Sequence, residues 1–197
     1  MSRQRTLLIG DIHGCFDELI HLLERCEFNP EIDRLVSLGD LMHKGCKSAQ
    51  VIDYFIQNGY EALMGNHDHY FLETLLGEKP PYDEYEEIFD DLLALGYDRQ
   101  QLIAWFQTRP YAIEDPKCIA VHAGLDPRCR PLAEQGPDIL CYMRYWHSKK
   151  HKAIAKRKPK HEKDREAKLI RPWYRVVEKK SYEGKPIFYG HGAKNSV

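Results

Sequence analysis

Apolar and polar positions along the chain follow two alternating periods. The runs TLLIGD (6–11), RLVSLGD (34–40) and YEALMGNHD (60–68) each begin apolar and close on Gly followed by Asp or Asn, the pattern of a strand running into a turn. Between them, FDELIHLLERC (16–26) sets Phe16, Leu19, Ile20, Leu23 and Cys26 at helical spacing. Asp17 and Glu18 fall in its first turn, where the helix dipole favours acids. AQVIDYFIQNG (49–59) predicts a second helix. This β-α-β-α-β order predicts parallel pairing with right-handed crossovers. Residues 69–107 predict mostly helix, and strands return at CIAVHAG (118–124) and KPIFYGHG (185–192).

Five apolar stretches, LLIGDIHG, LVSLGD, ALMGNHD, IAVHAG and IFYGHG, end in Gly or another small residue plus a side chain able to ligate a metal. Ligand crevices of open α/β sheets lie beyond the carboxyl ends of the strands, so five such groups are expected at one edge. Asp11 and His13, two apart, can point the same way. Asp40 can bridge two cations through its two oxygens, Asn66 offers a neutral oxygen, and His122 and His191 offer imidazole nitrogens. Oxygen and nitrogen donors without thiolates suit Mn, Fe, Zn, Ni or Co better than calcium or a cysteine-type zinc site. Singly the signals are weak. A lone Gly-Asp is a turn, and a lone His122 reads as a buried, hydrogen-bonded histidine. Together, in order and all at strand ends, they are specific.

GDIHG, GDLMHKG, GNHD, HAG and GH, in that order, resemble the calcineurin-like metallophosphoesterases and, within them, the phosphoprotein-phosphatase-type branch. VHAGLDPRCRPLAEQ and the lysine of GDLMHKG are most similar to ApaH-like phosphatases, relatives of the symmetrical diadenosine tetraphosphatases. The likeness spans residues 7 to 192. It implies an α/β fold, a metallophosphoesterase-type β-sandwich flanked by helices (α-β-β-α). The whole of 1–197 then forms one domain, with a helical insert at about 69–107 and a basic insert at about 149–168. Relatives usually continue further past the last histidine, so a C-terminally shortened sandwich is expected.

The resemblance also implies a site. Asp11, His13 and Asp40 would hold one divalent cation; Asp40 again, with Asn66, His122 and His191, would hold a second. Manganese is expected, with iron, zinc, cobalt or nickel as alternatives. His67 would protonate the leaving oxygen while a metal-bridging hydroxide attacks phosphorus in line. No Ser or Cys nucleophile is needed, so Cys15 is expected to be a packed thiol. Most members of the branch resemble G-D-x-x-D-R-G at the second motif, and here those last positions are His43 and Lys44. Lysine is a point charge where arginine is a planar fork, which suits a phosphate within a polyphosphate chain. Arg144, in CYMRYW, matches the second phosphate-binding position. His43 replaces the carboxylate that orients the acid, and Asp68 is the other candidate for that task.

Composition adds bounds. The chain has 197 residues, 43% hydrophobic and 30% charged, long enough to bury a real core. The six cysteines lack a C-x-x-C pair and read as free thiols. No membrane span or signal peptide is apparent, so a cytoplasmic protein is expected. The net charge of −1 hides two runs: six acids and no base at 82–91, and ten Lys/Arg against three acids at 149–168. Both read first as solvated faces; the basic run could also steer a polyanion. It lacks aromatics for base stacking, so nucleic acid is expected only as a 5′-end substrate. Trp173 and Tyr174 read as core or rim aromatics before nucleobase stackers. Three functions stay open: hydrolysis of dinucleoside polyphosphates or related 5′-polyphosphate ends, metal-dependent Ser/Thr or Tyr protein phosphatase activity, and a non-catalytic scaffold.

Overall fold

The computed structural model describes residues 5–128, 130–155, 169–177 and 181–191. The chain forms two compact units, Met1–Pro110 and Tyr111–Val197.

In the first unit, strands β1 (Thr6–Ile9), β2 (Arg34–Ser37) and β3 (Glu61–Ala62) form a parallel sheet in that order. Thr6 pairs with Arg34, Ile9 with Ser37 and Ser37 with Ala62. The crossovers are helices α1 (Phe16–Arg25) and α2 (Ser48–Gln57). α1 buries Leu19 and Leu23, and α2 buries Val51, Ile52 and Phe55, the faces that the spacing predicts. Each strand stops short of its Gly-Asp, so Gly10-Asp11 and Gly39-Asp40 lie in the turns beyond the sheet.

The third motif departs from expectation. β3 ends at Ala62, and Asn66 opens helix α3 (Asn66–Leu75) where the apolar pattern suggested a loop. Gly65 sits extended at the N-cap, and its N–H donates to Asp68 Oδ2 (3.0 Å), the reciprocal half of a capping box. Helices α4 (Asp83–Ala94) and α5 (Arg99–Gln107) follow, as the helical reading of 69–107 expects. α4 carries the acidic run outward but buries Tyr85, Ile88 and Leu92 along one stripe.

In the second unit, β4 (Ala112–Glu114), β5 (Ile119–Val121) and β9 (Ile187–Tyr189) share a sheet in which β5 pairs antiparallel with β4 and parallel with β9. A short helix α6 (Pro137–Leu140) leads to an antiparallel sheet of β6 (Tyr145–His147), β7 (Lys152–Ile154) and β8 (Ile170–Pro172), ordered β7-β6-β8. Ile119, Val121, Leu125, Ile139, Met143, Trp146 and Trp173 make its core. Trp173 is buried over Gly124, where a Cβ would come within 3.1 Å of the indole. Tyr174, at the surface, stacks on Tyr189. The basic run begins in the turn between β6 and β7, and residues 156–168 lie outside the described residues. No helix among the described residues is long and apolar enough to cross a membrane.

Candidate metal centre

In the first unit, the turn after β1 and the turn after β2 are laced together. The N–H groups of Ile12 and His13 both donate to the Asp40 carbonyl (3.0 and 2.8 Å), Gly14 N–H to Leu41 O, and Gly45 N–H to His13 O (2.9 Å each). That approach needs glycine. A Cβ on Gly14 would lie 2.6 Å from both Gly45 O and Ser48 Oγ, and one on Gly45 would collide with His13 O. Asp40 itself has φ of 56° and His13 of 49°, a left-handed conformation that costs an L-residue about 1–2 kcal/mol. His43 and Lys44 share it, at 72° and 78°. Asp68, buried on α3, offsets part of this cost. Its Oδ2 accepts from Asp40 N–H (2.6 Å) and its Oδ1 from Leu41 N–H (3.0 Å).

The lacing brings the expected first-cation donors together. His13 Nε2 lies 3.8 Å from Asp11 Oδ2 and 3.6 Å from Asp40 Oδ2. Ligands at about 2.1 Å from one cation can stand no more than about 4.2 Å apart, so each carboxylate is near enough to share a cation with His13, while the donors of this unit that all lie within 4.8 Å of one another are His13, Asp40 and His67. Burial holds the His13 imidazole below the usual histidine range, with Lys44 adding to the effect, and this favours the neutral form that ligates metals. Its Nδ1 is bonded to Met42 O (3.0 Å), which fixes the ring and points Nε2 at the carboxylates. Lys44 Nζ closes on that same Nε2. Asp40 is almost wholly buried, and its Oδ1 accepts the backbone N–H of His67 (2.9 Å). Asn66 is the first residue of α3, next to that contact.

His67 is tied by Tyr85, which sequence reasoning did not place, and by His43, which it named as a candidate. Its Nδ1 is 2.8 Å from the Tyr85 hydroxyl, and its ring stacks on His43 at 4.4 Å between centroids and 17° between planes. His43 Nε2 is in turn 2.5 Å from Glu84 Oε2. Glu84 and Tyr85 come from the acidic run on α4. The only local signal was Tyr85 on the buried stripe with Ile88 and Leu92. Asp68 and His43, the two candidates for orienting His67, are thus engaged differently: Asp68 with backbone N–H groups, His43 through its ring face.

In the second unit, His122 follows β5 and is fully buried; its Nε2 lies 3.1 Å from Nδ1 of His191, which follows β9. Gly190 N–H donates to His122 O (2.9 Å), extending the β5–β9 ladder one step and bringing the two imidazoles side by side. His191 also has positive φ, 55°. Arg144 is exposed, with its backbone tied on both sides, N–H to Ile154 O (3.0 Å) and O to Trp173 N–H (3.4 Å). Cys15 corrects an expectation. It is exposed and not packed, its thiol against the His13 carbonyl.

The family model for calcineurin-like phosphoesterases matches residues 4–195. The chain belongs to the calcineurin-like phosphoesterase family. Among members of known name, it is 38% identical over 128 residues to the symmetrical bis(5′-nucleosyl)-tetraphosphatase of Actinobacillus pleuropneumoniae serotype 5b, covering 62% of this chain and 46% of that relative. It is 34% identical over 142 residues to the symmetrical bis(5′-nucleosyl)-tetraphosphatase of Vibrio vulnificus, covering 68% of this chain and 51% of that one. The chain therefore spans about half the length of the curated relatives it matches. A crystal structure of a candidate diadenosine tetraphosphatase superposes with a TM-score of 0.72 at 25% identity, covering 98% of this chain and 81% of that one. The mixed α/β fold is thus of the metallophosphoesterase type, and the family works with divalent metal ions; His13, Asp40 and His67 form a donor group of suitable spacing in the first unit.

Proposed function

We propose that this phosphoesterase hydrolyses dinucleoside polyphosphates of the diadenosine tetraphosphate type, or related 5′-polyphosphate ends. The observation that carries the reading is the donor set of the first unit, with His67 bonded at its backbone to Asp40 and Lys44 beside His13. Its likeness to named tetraphosphatases supports the substrate class. In this reading Asp11, His13 and Asp40 hold one cation and Asp40, Asn66, His122 and His191 a second, manganese first among candidates. When bound, such a pair supplies charge to stabilise the phosphoryl oxygens and acidity toward water.

The chain's own groups do the remaining work. His67 gives a proton to the departing oxygen, so that ADP-like leaving groups need not depart with a full extra charge. Asp40 keeps the His67 backbone in place through Oδ1. The Lys44 ammonium lies beside His13 Nε2 and would turn to the substrate phosphate if that nitrogen held a cation, and Arg144 would grip the phosphate through its planar fork. A second reading has one observation behind it. A recess of about 260 Å³ beside His43 and Lys44 is walled by Glu84, Glu87 and Asp91. That wall repels polyanions and suits a phosphopeptide with basic neighbours, which favours a protein phosphatase.

Manganese-loaded protein, assayed in parallel on diadenosine tetraphosphate, a phosphoserine peptide and p-nitrophenyl phosphate, separates the two. Faster nucleotide cleavage, lost in Asp40→Asn, is the expected result. Preference for the peptide would make the protein a phosphoprotein phosphatase, and inactivity on all three with metal bound would move the weight toward an incomplete sandwich or a scaffold role.

A further inference from the structure

In the acidic run at 82–91, a buried tyrosine and an exposed glutamate both reach the surroundings of His67. Tyr85 is 2% exposed and its hydroxyl meets His67 Nδ1 at 2.8 Å. Glu84, next to it, reaches His43 Nε2 at 2.5 Å, and His43 lies flat on the His67 ring. His13 meets His67 edge-on at 5.2 Å, and Tyr85 also packs against Phe71. The His67 imidazole is therefore bounded on one face, one edge and one nitrogen by groups that do not ligate the proposed cations, His13 excepted.

We infer that α4 supplies the orienting apparatus of His67: Tyr85 donates a hydrogen bond to Nδ1, and the His43–Glu84 pair clamps the ring face. The inference rests on the assignment of His67 as proton donor. A carboxylate can only accept, so a carboxylate at Nδ1 holds a proton there, and Nε2 can donate only from the imidazolium. A phenol can donate as well as accept. With the Tyr85 proton pointing at Nδ1, the neutral ring carries its hydrogen on Nε2, the nitrogen across the ring. His67 is then a ready donor without a full positive charge, and no carboxylate is needed to stabilise one. This accounts for histidine at position 43: its flat ring serves as a wall and Glu84 holds that wall upright. Tyr85, His43 and Glu84 are positioning residues, since they act through His67.

The test uses zinc- or manganese-loaded full chain with p-nitrophenyl phosphate, which has a good leaving group, and phenyl phosphate, whose phenol has a pKa of about 10 and needs the proton. In Tyr85→Phe the turnover number on phenyl phosphate should fall about 10- to 100-fold, within the span general acids contribute. On p-nitrophenyl phosphate it should fall less than about 3-fold, with KM and bound metal unchanged. Glu84→Gln, a surface change that leaves the buried Tyr85 in place, should shift the same ratio in the same direction by a smaller factor. Equal loss on both esters, or an effect confined to KM, would overturn the inference. A second readout is independent of turnover. In the zinc-loaded protein the ¹⁵N spectrum should show His67 with a bare Nδ1 and a protonated Nε2, and Tyr85→Phe should mix the two tautomers. A protonated Nδ1 in the unaltered protein would overturn the inference even where hydrolysis fails for another reason. A bare Nδ1 in an inactive protein would sustain it and place the fault in the assignment of substrate.

Discussion

Asp68→Asn is a test of what holds the Asp40 turn in its costly conformation. One carboxylate accepts three backbone N–H groups, from Asp40 at 2.6 Å and from Leu41 and Gly65 at 3.0 Å, in a site 1% exposed. An asparagine offers one oxygen in place of two. Its better placement keeps the oxygen on Asp40 and Gly65 and turns its NH₂ toward Leu41 N–H, donor against donor. The stranded Leu41 N–H costs about 1–3 kcal/mol. The two surviving bonds lose the anion that roughly doubles their strength, another ~1 kcal/mol together. The sum is about 2–4 kcal/mol, a large share of the 5–15 kcal/mol typical of a whole domain. Urea unfolding followed by circular dichroism should show the midpoint falling by about 1–2 M at an m-value of about 2 kcal/mol/M. Hydrogen exchange at the Leu41 amide should speed up well beyond the change at α1 amides. A loss under about 0.5 kcal/mol with Leu41 protection intact would refute the reasoning. In that event the turn is held by the glycine contacts alone.

Gly14→Ala and Gly59→Ala form a matched pair, since both sites have positive φ but only Gly14 is crowded. Thermal or urea unfolding should give Gly59→Ala a cost of about 1–2 kcal/mol from the backbone alone, and Gly14→Ala that plus about 1–3 kcal/mol of overpacking. Chelation followed by manganese should raise the unfolding free energy by about 2.7 kcal/mol at one hundred times the dissociation constant, and Asp40→Asn should lose most of that gain in a melting assay. The Asp33 carboxyl is held at about 2, chiefly by hydrogen bonds from Arg5 and from the Asn29 N–H. Its folded value lies below its unfolded one, so the stabilisation is present above about pH 4 and is lost as pH falls toward about 2. Arg5→Ala should therefore be less stable than the unaltered protein at pH 6, and the gap should close across that window in an acid titration.

The first unit was legible because its elements obey local rules. The stripe Leu19–Leu23 and the run at 48–57 show one buried face each, and β1 and β2 stop just before their Gly-Asp pairs. The donor residues could be named from their place after apolar runs, and both Asp11 and Asp40 stand within 3.8 Å of His13 Nε2. The GNHD segment misled because its helix is started by a capping contact between Gly65 and Asp68 that apolar periodicity does not register. Tyr85 and Glu84 were out of reach for another reason. Their partners His67 and His43 lie 18 and 41 positions away, and their meeting depends on how α4 packs. β6, β7 and β8 are three residues each, too short for alternation to stand out from a loop.

The β5–β9 pairing sets an order of assembly. His122 and His191 are 69 positions apart, whereas the Arg5–Asp33 pair that clips the β1–β2 crossover spans 28. In equilibrium the difference is small, because closure entropy grows by only about 0.6 kcal/mol for each doubling of a loop. In time it is not small, since non-local pairings slow folding far more than they cost stability. The turns bearing Asp11, His13 and Asp40 belong to crossovers that can form early and locally. The two imidazoles of the second unit meet only when β9 docks beside β5. A refolding chain is therefore expected to bring His13 beside Asp11 and Asp40 before it pairs His122 with His191, an order that pulsed hydrogen exchange would read.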